Sequence, residues 1–353
     1  MVLIDGNSVI INSFMSVIYE LDKMDEINFD KDNFLSSFMD NKDLFKKAFL
    51  NTLEYKIKPN EMKAQFVHKY YGNSFVSIDT QNTWRKRIYP QYKATRKKSE
   101  NKTENDRHIN KIRHKYIEFA ELYLKDNGYK IIKATLDNDI GVEGDDVIAV
   151  LAMEYPLDKH LIISGDKDFT QLLHNQNIDM WYLGDRSCEA GLIPRPNTMA
   201  MNFKLHTDII KGQSKDNIKS IFYATELSPK FITHLKSLGI AIESNDEFVG
   251  KFSNEPYFMK IANDYIESIN EINKSRIEAG AIKRMPNVSI YKNVQVKDVN
   301  ETWNNIEKYS DRVKMNFDLN KRLVYFTLIP TDVRKAILSE FEKQTDTDRK
   351  GRK

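Results

Sequence analysis

The sequence predicts an α/β protein whose mostly parallel central sheet is flanked by helices. Three observations carry that prediction. Short apolar runs recur along the chain and alternate with amphipathic helical stretches. Several of these runs end on an acidic residue. Two acidic stretches about twenty residues apart, Val142-Glu143-Gly144-Asp145-Asp146 and Ser164-Gly165-Asp166-Lys167-Asp168, stand at a helix start and at the end of an apolar run. In open α/β sheets, sites gather at the carboxyl ends of the strands.

In chain order, Val2-Leu3-Ile4 reads as a first strand ending at Asp5, followed by Ser8 and a helix over 9–19. Asp5 suits a metal site and a helix cap equally. Residues 20–65 read as amphipathic helix, with Phe34, Phe38, Phe45, Phe49 and Leu53 at helical intervals; Phe66-Val67-His68 does not decide its own state. Phe75 to Asp79 is a clearer strand that again delivers an acid at its end.

From Thr83 to Lys98, seven basic residues are interleaved with Trp84, Tyr89 and Tyr92. Cations neutralise phosphates and rings stack on bases, so Trp84, Arg85, Arg87 and Tyr92 are expected to meet nucleic acid. A solvated basic face is the plainer alternative. Ser99 to Asn110 lacks apolar periodicity and is expected to be mobile unless substrate orders it.

A helix is expected over 112–126, stopped by Asn127-Gly128, then a strand over 129–132. Asp137-Asn138-Asp139 fails as a calcium loop, because Gly141 falls one place early and position twelve is Ile148. Leu161-Ile162-Ile163 reads as a buried parallel strand, and Asp179 to Leu183 as the last one. The α/β domain is bounded at 1–190, with a basic-aromatic region at 84–115. A mainly helical domain follows at 191–343, then a polar, basic tail at 344–353 that is expected to be disordered.

Composition narrows the classes. Apolar residues make up 41% and charged residues 30%, at a net charge of only +3, so a nucleic-acid role rests on local charge segregation and not on overall charge. The single cysteine, Cys188, excludes an intrachain disulfide and suits a reducing compartment. Asp5 interrupts the first apolar run, which argues against a signal peptide, and no stretch is apolar enough to span a membrane. The expected location is the cytoplasm.

The order of motifs is informative as a set: Leu3-Ile4-Asp5; Asp79 before the basic-aromatic segment; Glu143-Gly144-Asp145-Asp146; Gly165-Asp166-Lys167-Asp168-Phe169-Thr170-Gln171-Leu172; and Gly212 with Lys215-Asp216-Asn217. It resembles the 5′-nuclease family of flap endonucleases and 5′→3′ exonucleases, and within it the ribonuclease H branch of large tailed phages. The resemblance implies a PIN-like fold with a helical arch and a C-terminal helical subdomain. It implies two magnesium ions, replaceable by manganese, held by Asp5, Asp79, Glu143, Asp145, Asp146, Asp166, Asp168 and Asp216. Lys93 and Arg96 fall on the family's basic pair beside the scissile phosphate, and Tyr92 on an aromatic against the terminal base pair.

The implied activity is hydrolysis of phosphodiesters near 5′ ends, yielding 5′-phosphates, with removal of RNA primers and flaps during phage DNA replication. The implied partners are duplex DNA or RNA–DNA hybrid with a 5′ end or flap, and a single-strand-binding protein or sliding clamp. The enzyme would act as a monomer in the host cytoplasm. Two departures stand out. Gln213 replaces an earlier acid of the last motif, and Lys219-Ser220-Ile221-Phe222 replaces a glycine-rich turn that holds a monovalent cation. Gln213 keeps open a non-catalytic, structure-specific DNA-binding protein. A PIN-type ribonuclease is disfavoured by the long helical half after residue 205.

Overall fold

The computed structural model describes residues 1–58, 70–96, 103–184, 189–242, 249, 251–252, 255–286 and 288–350, with backbone only for 96 and 346–350. Phe66-Val67-His68, Lys97, Lys98 and Cys188 lie outside the described residues.

Among the described residues six strands form the main sheet: β1 (Val2–Asp5), β2 (Ser74–Ser77), β3 (Lys130–Ile132), β6 (His160–Ser164), β7 (Ile178–Tyr182) and β8 (Gly191–Leu192). Their order is β3-β2-β1-β6-β7-β8, parallel except for β8. A two-stranded antiparallel ribbon, β4 (Thr135–Leu136) with β5 (Ile140–Gly141), stands apart. The chain winds outward from β1 to β2 and β3 on one side and continues through β6 and β7 on the other. The order therefore reverses between β1 and β6, and the carboxyl ends of those two strands flank the crevice of an open α/β sheet.

Strand alternation sorts the core into two layers. Leu3, Phe75, Ile162 and Met180 face α6 (Gly144–Glu154) and the closing helix α12 (Thr331–Lys350). Val2, Ile4, Val76, Leu161 and Ile163 face α1 (Gly6–Leu21), α2 (Phe34–Asp40), α3 (Lys42–Ile57) and α5 (Glu104–Asp126). Helices on both faces explain why the central strands read as continuous apolar runs. Between β2 and α5, the described residues form a short helix, α4 (Arg85–Ile88), and a 3-10 turn, Ala94–Arg96.

The start of α1 sits hard against β2. A Cβ at Gly6 would lie 2.6 Å from the Ser77 carbonyl oxygen and 2.5 Å from Ile78 Cδ1. Gly6→Ala is expected to cost about 1–3 kcal/mol through overpacking, read as a lower urea midpoint. An unchanged midpoint would mean that β2 yields freely.

The chain divides into two compact units, Met1–Asn202 with Tyr325–Lys353, and Phe203–Val324. Four expectations are corrected here. The first unit runs past residue 190, and the final segment belongs to it instead of to the helical part, because Phe326, Ile329, Val333, Ile337 and Phe341 fill the core under α6. The tail expected to be disordered continues α12 as far as Lys350. The helix expected to start at 112 begins at Glu104 instead. There Thr103 and Asp106 form a reciprocal capping box that needs no apolar period.

The second unit is helical, with α7 (Thr198–Lys211) crossing into it, α8 (Pro229–Ser237), α9 (Pro256–Glu278), α10 (Val299–Asn304) and α11 (Asp311–Val324). Leu227, Phe231, Leu235 and Phe252 centre its core. Among the described residues no helix is long and apolar enough to cross a membrane.

Candidate metal centre

Each strand at the crevice delivers a carboxylate. Asp5 closes β1 and caps α1 by accepting from Ser8 N at 2.9 Å, while Ser164 Oγ at the end of β6 donates to its other oxygen at 2.6 Å. Asp5 is thus a cap and a member of the cluster at once. Asp79 stands two residues past β2 and accepts from the Gly144 amide at 2.7 Å. That places it at the N-terminus of α6, whose second residue is Asp145. Asp166 follows β6 and caps the 3-10 turn Lys167–Leu172 by accepting from Asp168 N at 2.9 Å. Ser8 Oγ accepts from Gly165 N at 3.0 Å, stitching the ends of β1 and β6 together.

These carboxylates share one field. Burial, then repulsion from Asp5, Asp166, Asp79 and Glu143, raises Asp145 well above the usual carboxylate range. Burial pushes Asp5 up to about 6, with Asp79 and Asp166 adding to it and the bonds from Ser164 and Ser8 opposing. Burial also raises Asp79, helped by Glu143 and opposed by the Gly144 amide, Lys93 and Asn7. Five carboxylates with no histidine or cysteine among them form an all-oxygen donor set, which fits a hard divalent cation. Among the described residues no three such side chains are already arranged to hold an ion directly. Magnesium, which keeps several of its waters, can be held by few direct ligands.

Beside the cluster lies a second network that the sequence reading misassigned. Arg85 is 4% exposed; its guanidinium donates to Asp146 through both nitrogens, at 2.8 and 2.7 Å, and to Glu143 at 2.7 Å. Trp84, 1% exposed, donates from Nε1 to Asp146 at 2.8 Å, and the buried Tyr92 hydroxyl donates to Glu143 at 3.1 Å. Placing Trp84, Arg85 and Tyr92 against substrate does not fit this burial, and neither does Asp146 as a metal ligand. Asp146 is 0% exposed with both oxygens engaged. A buried guanidinium is tolerated because two carboxylates face it. Their charges raise Arg85 well above its ordinary value despite desolvation, and Arg85 and Lys93 hold Glu143 below its own against the opposing effect of burial.

Lys93 links the two groups. Its backbone is left-handed at φ 56°, its ammonium is on Glu143, and its charge acts on Asp79. Arg87 is exposed and pairs at 3.4 Å with Asp332 on α12. Asp168 is half-buried on the adjoining turn. Arg96 ends the 3-10 turn Ala94–Arg96, and its side chain lies outside the described residues. Asp216 and Gln213, both buried, belong to the second unit, on a turn closed by mutual backbone bonds between Gln213 and Ile218. Sequence reasoning missed Ser8, Ser164 and the Gly144 amide, which orient the carboxylates. A serine at the end of an apolar run that faces a second acid-tipped run would have been the signal.

Comparison with known proteins adds the following. Residues 1–201 match the family of the 5′-3′ exonuclease N-terminal, resolvase-like domain. The ribonuclease H of Enterobacteria phage T4 is 26% identical over 216 residues, covering 58% of this chain. The match spans 65% of that protein's length, short of two thirds. Among solved structures, the T5 5′-exonuclease with bound zinc ions aligns at a TM-score of 0.45 and 16% identity, over 98% of this chain and 99% of that one. The bacteriophage T5 flap endonuclease in a pseudo-enzyme–product complex with DNA and metal ions aligns at 0.41 and 17%, over 80% and 88%.

Proposed function

Since the chain belongs to the 5′-3′ exonuclease family through its N-terminal resolvase-like domain, we propose that it is a magnesium-dependent 5′ nuclease. The observation that supports this most is the gathering of Asp5, Asp79, Glu143, Asp145 and Asp166 at the carboxyl ends of the strands, where burial first and then its four neighbours raise Asp145. Asp79, Asp145 and Asp166 would hold the ions most directly. Asp5 and Glu143 would act through waters, with Asp168 on the neighbouring turn. A pair of bound magnesium ions, or manganese, would supply an activated water and charge neutralisation for in-line displacement at phosphorus.

The chain's own residues do the rest. Ser8, Ser164 and the Gly144 amide fix the carboxylates in place. Lys93 can swing from Glu143 to a phosphate oxygen as a mobile charge, and Arg96 would add a bidentate contact. Arg87, exposed and only loosely paired, is suited to the substrate backbone. The substrates would be duplex DNA or RNA–DNA hybrids with a 5′ end or flap, as in primer removal during phage replication.

The test is cleavage of 5′-labelled flap, nicked and RNA-primed duplexes with magnesium and with EDTA. Cleavage in magnesium alone, releasing 5′-phosphates, is expected. Asp166→Asn should lower the rate by at least about 10²-fold while substrate still binds. If the wild type binds every substrate and cuts none, the protein is a binding module and the nuclease reading fails.

A further inference from the structure

A groove of about 590 Å³ opens between α2, the start of α3 and the first half of α5, and no carboxylate of the candidate centre lines it. Its floor is apolar. Phe38 and Tyr116 are buried there, while Leu35 and Met39 stay exposed, Met39 at 63%. Its walls are basic: Lys42 and Lys46 on α3 and Lys111 and Lys115 on α5, all exposed. Each pair is spaced four residues apart, about 6 Å along its helix.

Among the described residues no acidic side chain lines the groove, although Asp43 lies near enough to act on the Tyr116 hydroxyl. These four lysines form no ion pair among the described residues. Exposed lysines elsewhere do so readily, as in Lys58–Glu54, Lys133–Glu121 and Lys292–Glu226. An apolar floor between two unpaired cationic walls is complementary to a ligand that is both apolar and anionic.

Nucleic acid meets the charge and not the floor. Phe38 and Tyr116 pack edge-on to one another and to Phe45, and Lys46 lies over Phe119 at 4.8 Å. Little ring face is left for a base. A peptide that sets one apolar side chain on Phe38 and Met39 and its carboxylates along the walls satisfies both features.

We propose that this groove docks an acidic segment of a partner protein, anchored by an aliphatic or aromatic side chain between Lys42, Lys46, Lys111 and Lys115. This surface is independent of the nuclease reading and needs no metal.

The test is fluorescence anisotropy on the full chain in EDTA. The probes are a labelled peptide alternating aspartate with leucine and phenylalanine, the same peptide with asparagine for aspartate, and a labelled oligothymidine. The acidic peptide should bind in the micromolar range and weaken with salt. Its affinity should fall about tenfold in Lys42→Glu/Lys46→Glu and likewise in Met39→Asp. Oligothymidine binding and duplex cleavage should be unchanged in both variants.

Failure of the acidic peptide to bind overturns the proposal, as does equal binding of the asparagine peptide. If the double variant loses oligothymidine and keeps the peptide, the groove is a nucleic-acid surface. If Met39→Asp converts a dimer to a monomer in sedimentation, its occupant is a second copy of this chain.

Discussion

Asp145→Asn is expected to abolish metal-dependent cleavage and, in EDTA, to make the protein more stable than wild type. Both effects have one cause. Asp145 is held among Asp5, Asp166, Asp79 and Glu143, so its charge is unfavourable until a cation arrives. A neutral amide of the same shape removes that repulsion and the cost of burying a charge. The gain should be about 1–3 kcal/mol, a rise of a few degrees in melting temperature.

The sign with pH follows from the direction of the shifts. A carboxyl whose folded value is raised binds its proton more tightly in the native state. Its stabilisation is complete below the unfolded value and is lost as pH rises through the folded one. For Asp5 that window runs from 3.8 to about 6, and for Asp145 it likewise opens at 3.8 and extends upward. His160 and His206, both lowered by burial, act in the opposite sense over part of the same range. They contribute equally to wild type and variant, so the informative quantity is the difference between the two. In EDTA the advantage of Asp145→Asn should be larger at pH 7.5 than at pH 5.5, and saturating magnesium should shrink or reverse it. Melting curves at the two pH values decide this. A variant less stable than wild type in EDTA at pH 7.5 would overturn the reading of the cluster as a repulsive, cation-seeking site.

The parts of the fold legible in the sequence were those with a local cause. Strands β1 and β6 announce themselves because layers on both faces demand unbroken apolar runs, while β2, β3 and β7 are legible from shorter apolar stretches. The acidic tips of β1, β2 and β6 were legible because position on a parallel strand fixes which edge a residue reaches. Strand β8 and the β4–β5 ribbon, two residues per strand, are too short to carry a period. The return of Tyr325–Lys353 to the first unit is a tertiary choice that local pattern does not encode.

The misreading of Trp84, Arg85 and Tyr92 is of the same kind. A basic-aromatic run looks exposed until Glu143 and Asp146, about sixty residues on, take its charge inside. Two of the acids assigned to metal by their place in a motif were thereby committed, wholly or in part, to a cation of the protein's own.

That commitment carries the largest stability effect expected in the chain. Arg85→Met should destabilise the fold by about 3–5 kcal/mol, because it leaves Asp146 and Glu143 buried with their main counter-charge gone. Lys93 still neutralises Glu143, but among the described residues Asp146 keeps only the neutral Trp84 indole as a side-chain donor. Arg85→Lys should recover little, since an ammonium cannot span both Asp146 oxygens in the fork that Arg85 makes at 2.8 and 2.7 Å. Adding Asp146→Leu to Arg85→Met removes the orphaned charge and should restore a large part of the loss, the expected behaviour of a buried ion pair replaced by apolar side chains. Urea unfolding of the three variants measures this. If Arg85→Met lies within about 1 kcal/mol of wild type, the pair is more hydrated than its burial indicates, and Arg85 returns to the set of residues open to substrate.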